Sequence, residues 1–93
     1  MQERILTLHP EGKQGVNISK EKYDRIRQAI LSVLDEQGEV FFKVLPAEVE
    51  KKLAGSFDGS ISWYVTSVKL DLEARGVIQR VPKSSPQRLR LAS

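Results

Sequence analysis

The chain of 93 residues contains no cysteine. Disulfide bridges and thiolate metal sites are therefore excluded, and nothing points to an oxidising compartment. No run approaches the roughly 20 apolar residues that a membrane-spanning helix requires. The N-terminal residues also lack the basic-then-apolar layout of a signal peptide. We therefore expect a cytoplasmic protein that does not engage a membrane.

Histidine is nearly absent too, since His9, beside Pro10, is the only one. The carboxylates are scattered rather than paired, and no His, Asp and Glu cluster has the spacing of a metal site. Gly12-Lys13 lacks the second glycine and the Ser or Thr of a phosphate-binding loop. We therefore expect no enzyme activity, no metal and no small-molecule cofactor.

Acidic residues are missing from the C-terminal segment. Residues 77–93 contain four cations and no carboxylate, whereas residues 1–76 contain 11 cations and 12 carboxylates. The net charge of +3 thus originates in the last 17 residues. A segment of one charge sign is suited to a polyanionic partner.

The length and the 40% of hydrophobic residues fit one compact domain. Residues 1–18 contain a short apolar stretch and then Pro10, Gly12 and Gly15, which predicts an arm followed by a loop. Residues 19–93 are expected to form the domain.

Ser19 is predicted to begin a first helix that ends at Gly38, and Pro46 suits the first turn of a second helix, 46–54.

A third helix is predicted over residues 60–76, with a serine N-cap and with Gly76 after its last turn. One side of it carries apolar residues at helical spacing. These residues are Ile61, Tyr64, Val65, Val68 and Leu72.

The same helix carries two more strips. Ser62, Thr66, Lys69 and Glu73 form a narrow polar strip that we expect to face solvent. Trp63, Leu70 and Ala74 form a second apolar strip roughly opposite the first, and a helix that is apolar on two sides is covered on two sides. We expect cover from the N-terminal arm or from the C-terminal strands. Cover by a second subunit would instead make Trp63 and Leu70 an interface in a homodimer.

The residues around the helices predict strands. Val40-Phe41-Phe42 is β-prone, and residues 77–81 and 87–91 flank a loop with turn chemistry, 82–86, so that they form a hairpin. Leu89 and Leu91 alternate with Arg88 and Arg90. One face of this strand is therefore expected to be buried and the other to carry guanidinium groups.

The segment Leu72-Glu73-Ala74-Arg75-Gly76-Val77-Ile78-Gln79-Arg80 resembles the junction between recognition helix and wing in bacterial regulators of the MarR-like kind. Through Leu8-His9-Pro10-Glu11-Gly12-Lys13 and Ser62-Trp63-Tyr64-Val65, the chain also resembles an uncharacterised bacterial family of small winged-helix proteins, a domain of unknown function. The resemblance implies an α+β, mostly α fold, the winged helix-turn-helix, with three helices, a C-terminal hairpin wing and a short N-terminal arm.

In winged-helix DNA-binding proteins the third helix enters the major groove and the wing lies along the backbone or minor groove. The resemblance implies that the chain is a transcription regulator that binds double-stranded DNA. The alternative is a protein–protein interaction or dimerisation module that uses the same fold without DNA. The residues expected to contact DNA are Ser62, Thr66 and Lys69 on the helix and, facing the same surface, the wing cations Arg80, Lys83, Arg88 and Arg90.

Overall fold

A computed structural model describes residues 3–92 of the chain. It begins with an antiparallel pair of short strands, β1 (Arg4–Leu6) and β2 (Asn17–Ser19). The strand β2 was not predicted. Gly15 is required in the turn between the strands, because a Cβ at this position would lie 1.8 Å from the carbonyl oxygen of Thr7.

Helix α1 (Lys20–Gln37) begins and ends at the predicted residues. The side chain of Ser19 accepts a hydrogen bond from the amide of Lys22, which satisfies one of the free donors of the first turn. At the other end the amide of Gly38 donates to the carbonyl of Leu34. These contacts confirm both predicted caps.

A two-residue strand, β3 (Val40–Phe41), precedes helix α2 (Leu45–Leu53). The residues between them form a 3-10 turn, Phe42–Val44, so that the strand predicted over Val40-Phe41-Phe42 ends one residue earlier. Val49 and Leu53 on α2 are buried in the core.

Helix α3 (Ile61–Ala74) is capped by Ser60, whose hydroxyl accepts from the amide of Trp63. Its C-terminal end is closed by Gly76 at a φ of 75°, a left-handed conformation that glycine adopts without strain. The predicted core-facing residues Val65, Val68 and Leu72 are fully buried.

The chain ends in the predicted hairpin, formed by β4 (Ile78–Arg80) and β5 (Arg88–Leu91). Strand β3 pairs with β5 on its other side, so that the three-stranded antiparallel sheet has the order β3-β5-β4. In the register, Arg80 lies opposite Leu89 and Gln79 opposite Arg90.

The three helices contact one another and enclose one core, onto which both sheets pack. The residues at its centre are apolar and fully buried, and they come from every helix and from the hairpin. They include Ile26, Ile30, Leu34, Leu45, Val49, Val65, Val68, Leu72, Ile78 and Leu89.

The fold class is thus α+β, with three helices and small antiparallel sheets and with about half of the residues helical. Over residues 3–92, no helix is both long enough and apolar enough to cross a membrane.

Candidate nucleic-acid interface

The first two turns of α3 present polar groups to solvent. Ser62 and Thr66 are exposed, as predicted, and lie one turn apart on the same face of the helix. The hydroxyl of Thr66 donates to the carbonyl of Ser62 at 3.0 Å, so that its remaining lone pairs point away from the backbone. This face offers hydroxyl groups but no charge.

Lys69 does not belong to that exposed face, and the prediction that it does was wrong. Its side chain is only 3% exposed, and its Nζ lies 2.9 Å from Oε1 of Glu73, which is 7% exposed. The aromatic ring of Phe42 covers the ammonium at 4.7 Å from the ring centroid. Burial lowers the pKa of Lys69, and the adjacent carboxylate opposes that shift. Lys69 is therefore a packed and paired side chain that presents no charge at the surface of α3.

Arg80 is itself exposed but contacts the buried pair of Lys69 and Glu73 from the sheet. Side chains alternate between the two faces of a strand, so that Arg80 shares its face with Ile78, which is buried against the helices. From there its Nε reaches Oε1 of Glu73 at 3.3 Å. One carboxylate of α3 therefore serves two cations, Lys69 and Arg80.

Arg88 and Arg90 lie on the opposite face of the sheet. Their neighbours in the register are Phe41 and Gln79, and Arg88 lies over the ring of Phe41 at 5.5 Å. Both guanidinium groups approach Glu39, at 3.3 Å and 3.6 Å.

The predicted wing cations therefore do not share one surface. Arg80 lies opposite the buried Leu89 in the register and therefore faces the helices with it. Arg88 and Arg90 are the residues on either side of Leu89, and they therefore face the opposite side of the sheet. Lys83 is exposed in the loop between β4 and β5, at a φ of 61°. The expectation of a single cationic surface was wrong for this reason.

The sheet region keeps a positive excess in spite of these ion pairs. Two carboxylates, Glu39 and Glu73, pair with four cations, which are Lys69, Arg80, Arg88 and Arg90. Lys83 adds a fifth positive charge, which gives +5 − 2 = +3 for the group. Exposed ion pairs such as those of Glu39 contribute about 0–1 kcal/mol. A phosphate could therefore replace the carboxylate as a partner of Arg88 or Arg90.

Trp63 and Leu70 differ in how they are covered. Trp63 is 46% exposed, and the arm residues Leu6 and Leu8 are exposed as well, so that the expected cover of Trp63 is incomplete. Leu70 is half-buried and lines a shallow pocket with Pro10 of the N-terminal segment. Only the C-terminal part of the second apolar strip is covered within the chain.

Asp71 is the polar residue that the sequence analysis missed. Its side chain is fully buried and accepts hydrogen bonds from the amide of Leu8, the hydroxyl of Tyr23 and Nε of Arg75. The spacing offered a signal, because Asp71 lies three residues after Val68 and seven after Tyr64, at the edge of the buried stripe. A carboxylate with three donors at that position organises the fold.

Among residues 3–92, no group of three or more His, Asp or Glu side chains is placed to hold a metal ion. The ring of His9 accepts a hydrogen bond through Nδ1 from the amide of Glu11. This local contact accounts for its orientation.

No curated protein and no solved structure matches the chain. Residues 4–89 match a sequence family described as a family of unknown function, DUF6958. The match spans β1 to β5 and includes α3 and the sheet around it. The chain therefore belongs to this family of unknown function.

Proposed function

We propose that the fold is a winged helix-turn-helix and that the protein binds double-stranded DNA. The order of elements supports the fold: α1, β3, α2, α3, β4 and β5 follow one another, and β5 lies between β3 and β4 in the sheet. In this arrangement α3 is the recognition helix and the loop between β4 and β5 is the wing.

The observation that carries the DNA proposal is the charge of the wing and the outer face of the sheet, where three cations, Lys83, Arg88 and Arg90, face one carboxylate, Glu39, together with the exposed polar face of α3. Ser62 and Thr66 are the base-facing candidates on α3. Lys83, Arg88 and Arg90 are the phosphate-contacting candidates on the wing. Lys69 is not a candidate because it is buried, and Arg80 is not a candidate because it pairs with Glu73.

Only three wing cations, Lys83, Arg88 and Arg90, remain as phosphate contacts, and we therefore expect a monomer to bind DNA weakly. Three phosphate contacts correspond to a slope of about −3 for the logarithm of the association constant against that of the salt concentration. A homodimer on two half-sites would double the contacts. We therefore propose that the protein regulates transcription in the bacterial cytoplasm as a homodimer.

The test replaces both outer-face arginines, Arg88→Gln and Arg90→Gln, and measures duplex binding by fluorescence anisotropy. We expect affinity to fall about tenfold and the salt slope to lose about two units. The matched control is Lys51→Gln with Lys52→Gln on α2, which removes two cations that are also paired with carboxylates. Equal affinities of the two folded double variants would refute the wing's role.

Protein binding is a second candidate because of the exposed ring of Trp63 at the start of α3. Other large apolar side chains are also exposed on the described surface, and aromatic side chains anchor many protein interfaces. These side chains are Leu6, Leu8, Phe41 and Val44. Association that does not weaken with salt would favour this alternative over DNA.

A further inference from the structure

A groove of about 460 Å³ lies beside the first turn of α3, and we call it the Trp63 groove. Its walls come from five segments: β1, β2, the start of α1, the turn between α2 and α3, and the start of α3. The side chains that matter for its chemistry are Arg4, Lys22, Arg25, Asp58, Trp63 and Tyr64. Its volume is within the range of about 300–1,000 Å³ typical of ligand sites.

Three cations line this groove, and none of them pairs with a carboxylate among residues 3–92. Arg4 donates to the side chain of Asn17 at 2.6 Å and to its carbonyl at 2.8 Å. Arg25 donates to the carbonyl and the hydroxyl of Ser56 at 3.1 Å and 2.6 Å. Lys22 contacts aromatic rings instead of an acid. A ligand therefore does not have to displace a carboxylate from these three cations, whereas Arg88 and Arg90 already contact Glu39.

The acidic residues of the groove do not cancel this charge. Glu21 and Asp58 also line it, which leaves a net charge of +1 from the side chains. The N-terminal ends of α1 and α3 both adjoin the groove, and each contributes roughly half a positive charge. An anionic group is therefore favoured there.

The aromatic side chains add a flat apolar surface to this charge. The ring of Tyr64 lies between those of Phe57 and Trp63, with centroids 5.1 Å and 4.9 Å away in edge-to-face contacts. Lys22 lies 5.5 Å from the Tyr64 centroid, and Arg25 lies 5.7 Å from the Phe57 centroid. Those two rings are engaged by cations, whereas nearly half of Trp63 remains open to solvent.

We propose that the Trp63 groove binds a nucleotide, with the phosphate at Lys22, Arg25 and Arg4 and the base stacked on Trp63. A simple anion would leave the exposed indole unused, and an apolar ligand would leave three cations without partners. Stacking on an aromatic side chain tolerates every base, since each base has a π-face. We therefore expect the groove to bind nucleotides without distinguishing one base from another.

This site is independent of the proposed function, because its residues differ from those of the wing. The nucleotide has two possible sources: a free mononucleotide, or one unit of a nucleic-acid strand. Both present the same phosphate and base, and the experiment separates them.

Trp63 provides the readout because it is the only tryptophan of the chain. The protein is titrated with adenosine monophosphate, with adenosine and with inorganic phosphate while the indole emission is followed. N-acetyltryptophanamide is titrated in parallel to correct for absorption by the base. We expect saturable quenching by the monophosphate with a Kd of about 1 mM or tighter, and at least about fivefold weaker binding of the other two.

The variant Lys22→Gln removes one proposed phosphate contact and should weaken the monophosphate about fivefold or more. Lys22→Arg keeps the charge and should retain binding. Arg27→Gln is the matched control on the same helix, because Arg27 does not line the groove. No saturable quenching up to about 10 mM, or equal affinities of the Lys22→Gln and Arg27→Gln variants, would overturn the proposal.

A single-stranded oligonucleotide identifies the source. If the groove takes a unit of a strand, the oligonucleotide competes with the monophosphate and binds the Lys22→Gln variant more weakly. If it takes free nucleotide, the oligonucleotide does not compete. Failure of the wing proposal remains distinguishable, because Arg88→Gln with Arg90→Gln should leave quenching by the monophosphate unchanged.

Discussion

The backbone amide of Leu8 donates a hydrogen bond of 2.8 Å to Oδ1 of Asp71, 63 residues later in the chain. This contact fixes the N-terminal segment against the last turn of α3. The same carboxylate accepts from Tyr23 on α1 and from Arg75 one turn further along α3. One buried side chain thus connects three parts of the fold.

Replacing Asp71 by asparagine should destabilise the protein by about 2–4 kcal/mol. The substitution keeps the shape of the side chain but removes its charge. The NH2 group of asparagine then takes the place of a carboxylate oxygen, and because it can only donate, it leaves a buried donor without an acceptor. Chemical unfolding monitored by circular dichroism measures the loss. Asp24→Asn, which disrupts only an exposed pair with Lys20, is the control and should have a far smaller effect. Equal effects of the two substitutions would refute the role of Asp71.

Alkaline pH should weaken the fold through Tyr23. Burial, together with the hydrogen bond to Asp71, raises the pKa of Tyr23 to about 12. The pKa of tyrosine in the unfolded chain is about 10. The folded state thus binds the phenolic proton more tightly, and this stability is complete below about pH 10 and is lost as the pH rises toward 12.

In a series of unfolding measurements across this window, the wild type should lose about 2 kcal/mol more than Tyr23→Phe, which has no proton to release. Deprotonation of lysines affects both proteins alike and therefore cancels in the comparison. Parallel curves for the two proteins would contradict the assignment.

Lys69→Gln tests whether this lysine serves the fold or DNA. The substitution removes one of the two cations around the buried carboxylate of Glu73, while Arg80 remains. We expect a loss of about 2 kcal/mol of stability, because a buried charge loses part of its compensation. Duplex affinity of the folded variant should stay at the wild-type value. A tenfold drop in affinity with unchanged stability would restore Lys69 to the DNA-contacting set.

Trp63→Ala should cost only about 1–2 kcal/mol, less than the 3–5 kcal/mol typical of a buried aromatic residue. The reason is that nearly half of the side chain is already exposed. Unfolding measurements and sedimentation velocity on the same samples separate the possibilities. A loss above about 3 kcal/mol would place the ring in the core, and loss of a dimer with near-native stability would place it in an interface.

The sequence predicted the helices well because their caps are local. Ser19, Gly38 and Ser60 act through hydrogen bonds to residues three or four positions away, and such contacts can be inferred from order alone. The alternation of Leu89 with Arg88 and Arg90 likewise predicted which face of β5 is buried.

The predictions that were wrong concern contacts between residues that lie far apart in the sequence. The sequence could not show that Phe42, in an unpredicted 3-10 turn, covers Lys69, or that Glu73 turns inward to meet Arg80. Strand β2 was missed because a three-residue strand after two glycines carries little pattern of its own. The Trp63 groove was not predicted, because five segments that are separate in the sequence line it.

The most direct test of DNA binding by the positive excess around the sheet is the salt dependence of duplex affinity, measured by anisotropy from about 20 to 200 mM salt. The account predicts that the logarithm of the association constant falls linearly with that of the salt concentration, with a slope of about −3 for a monomer and about −6 for a dimer. A slope near zero, or no binding to duplex at the lowest salt, would contradict it.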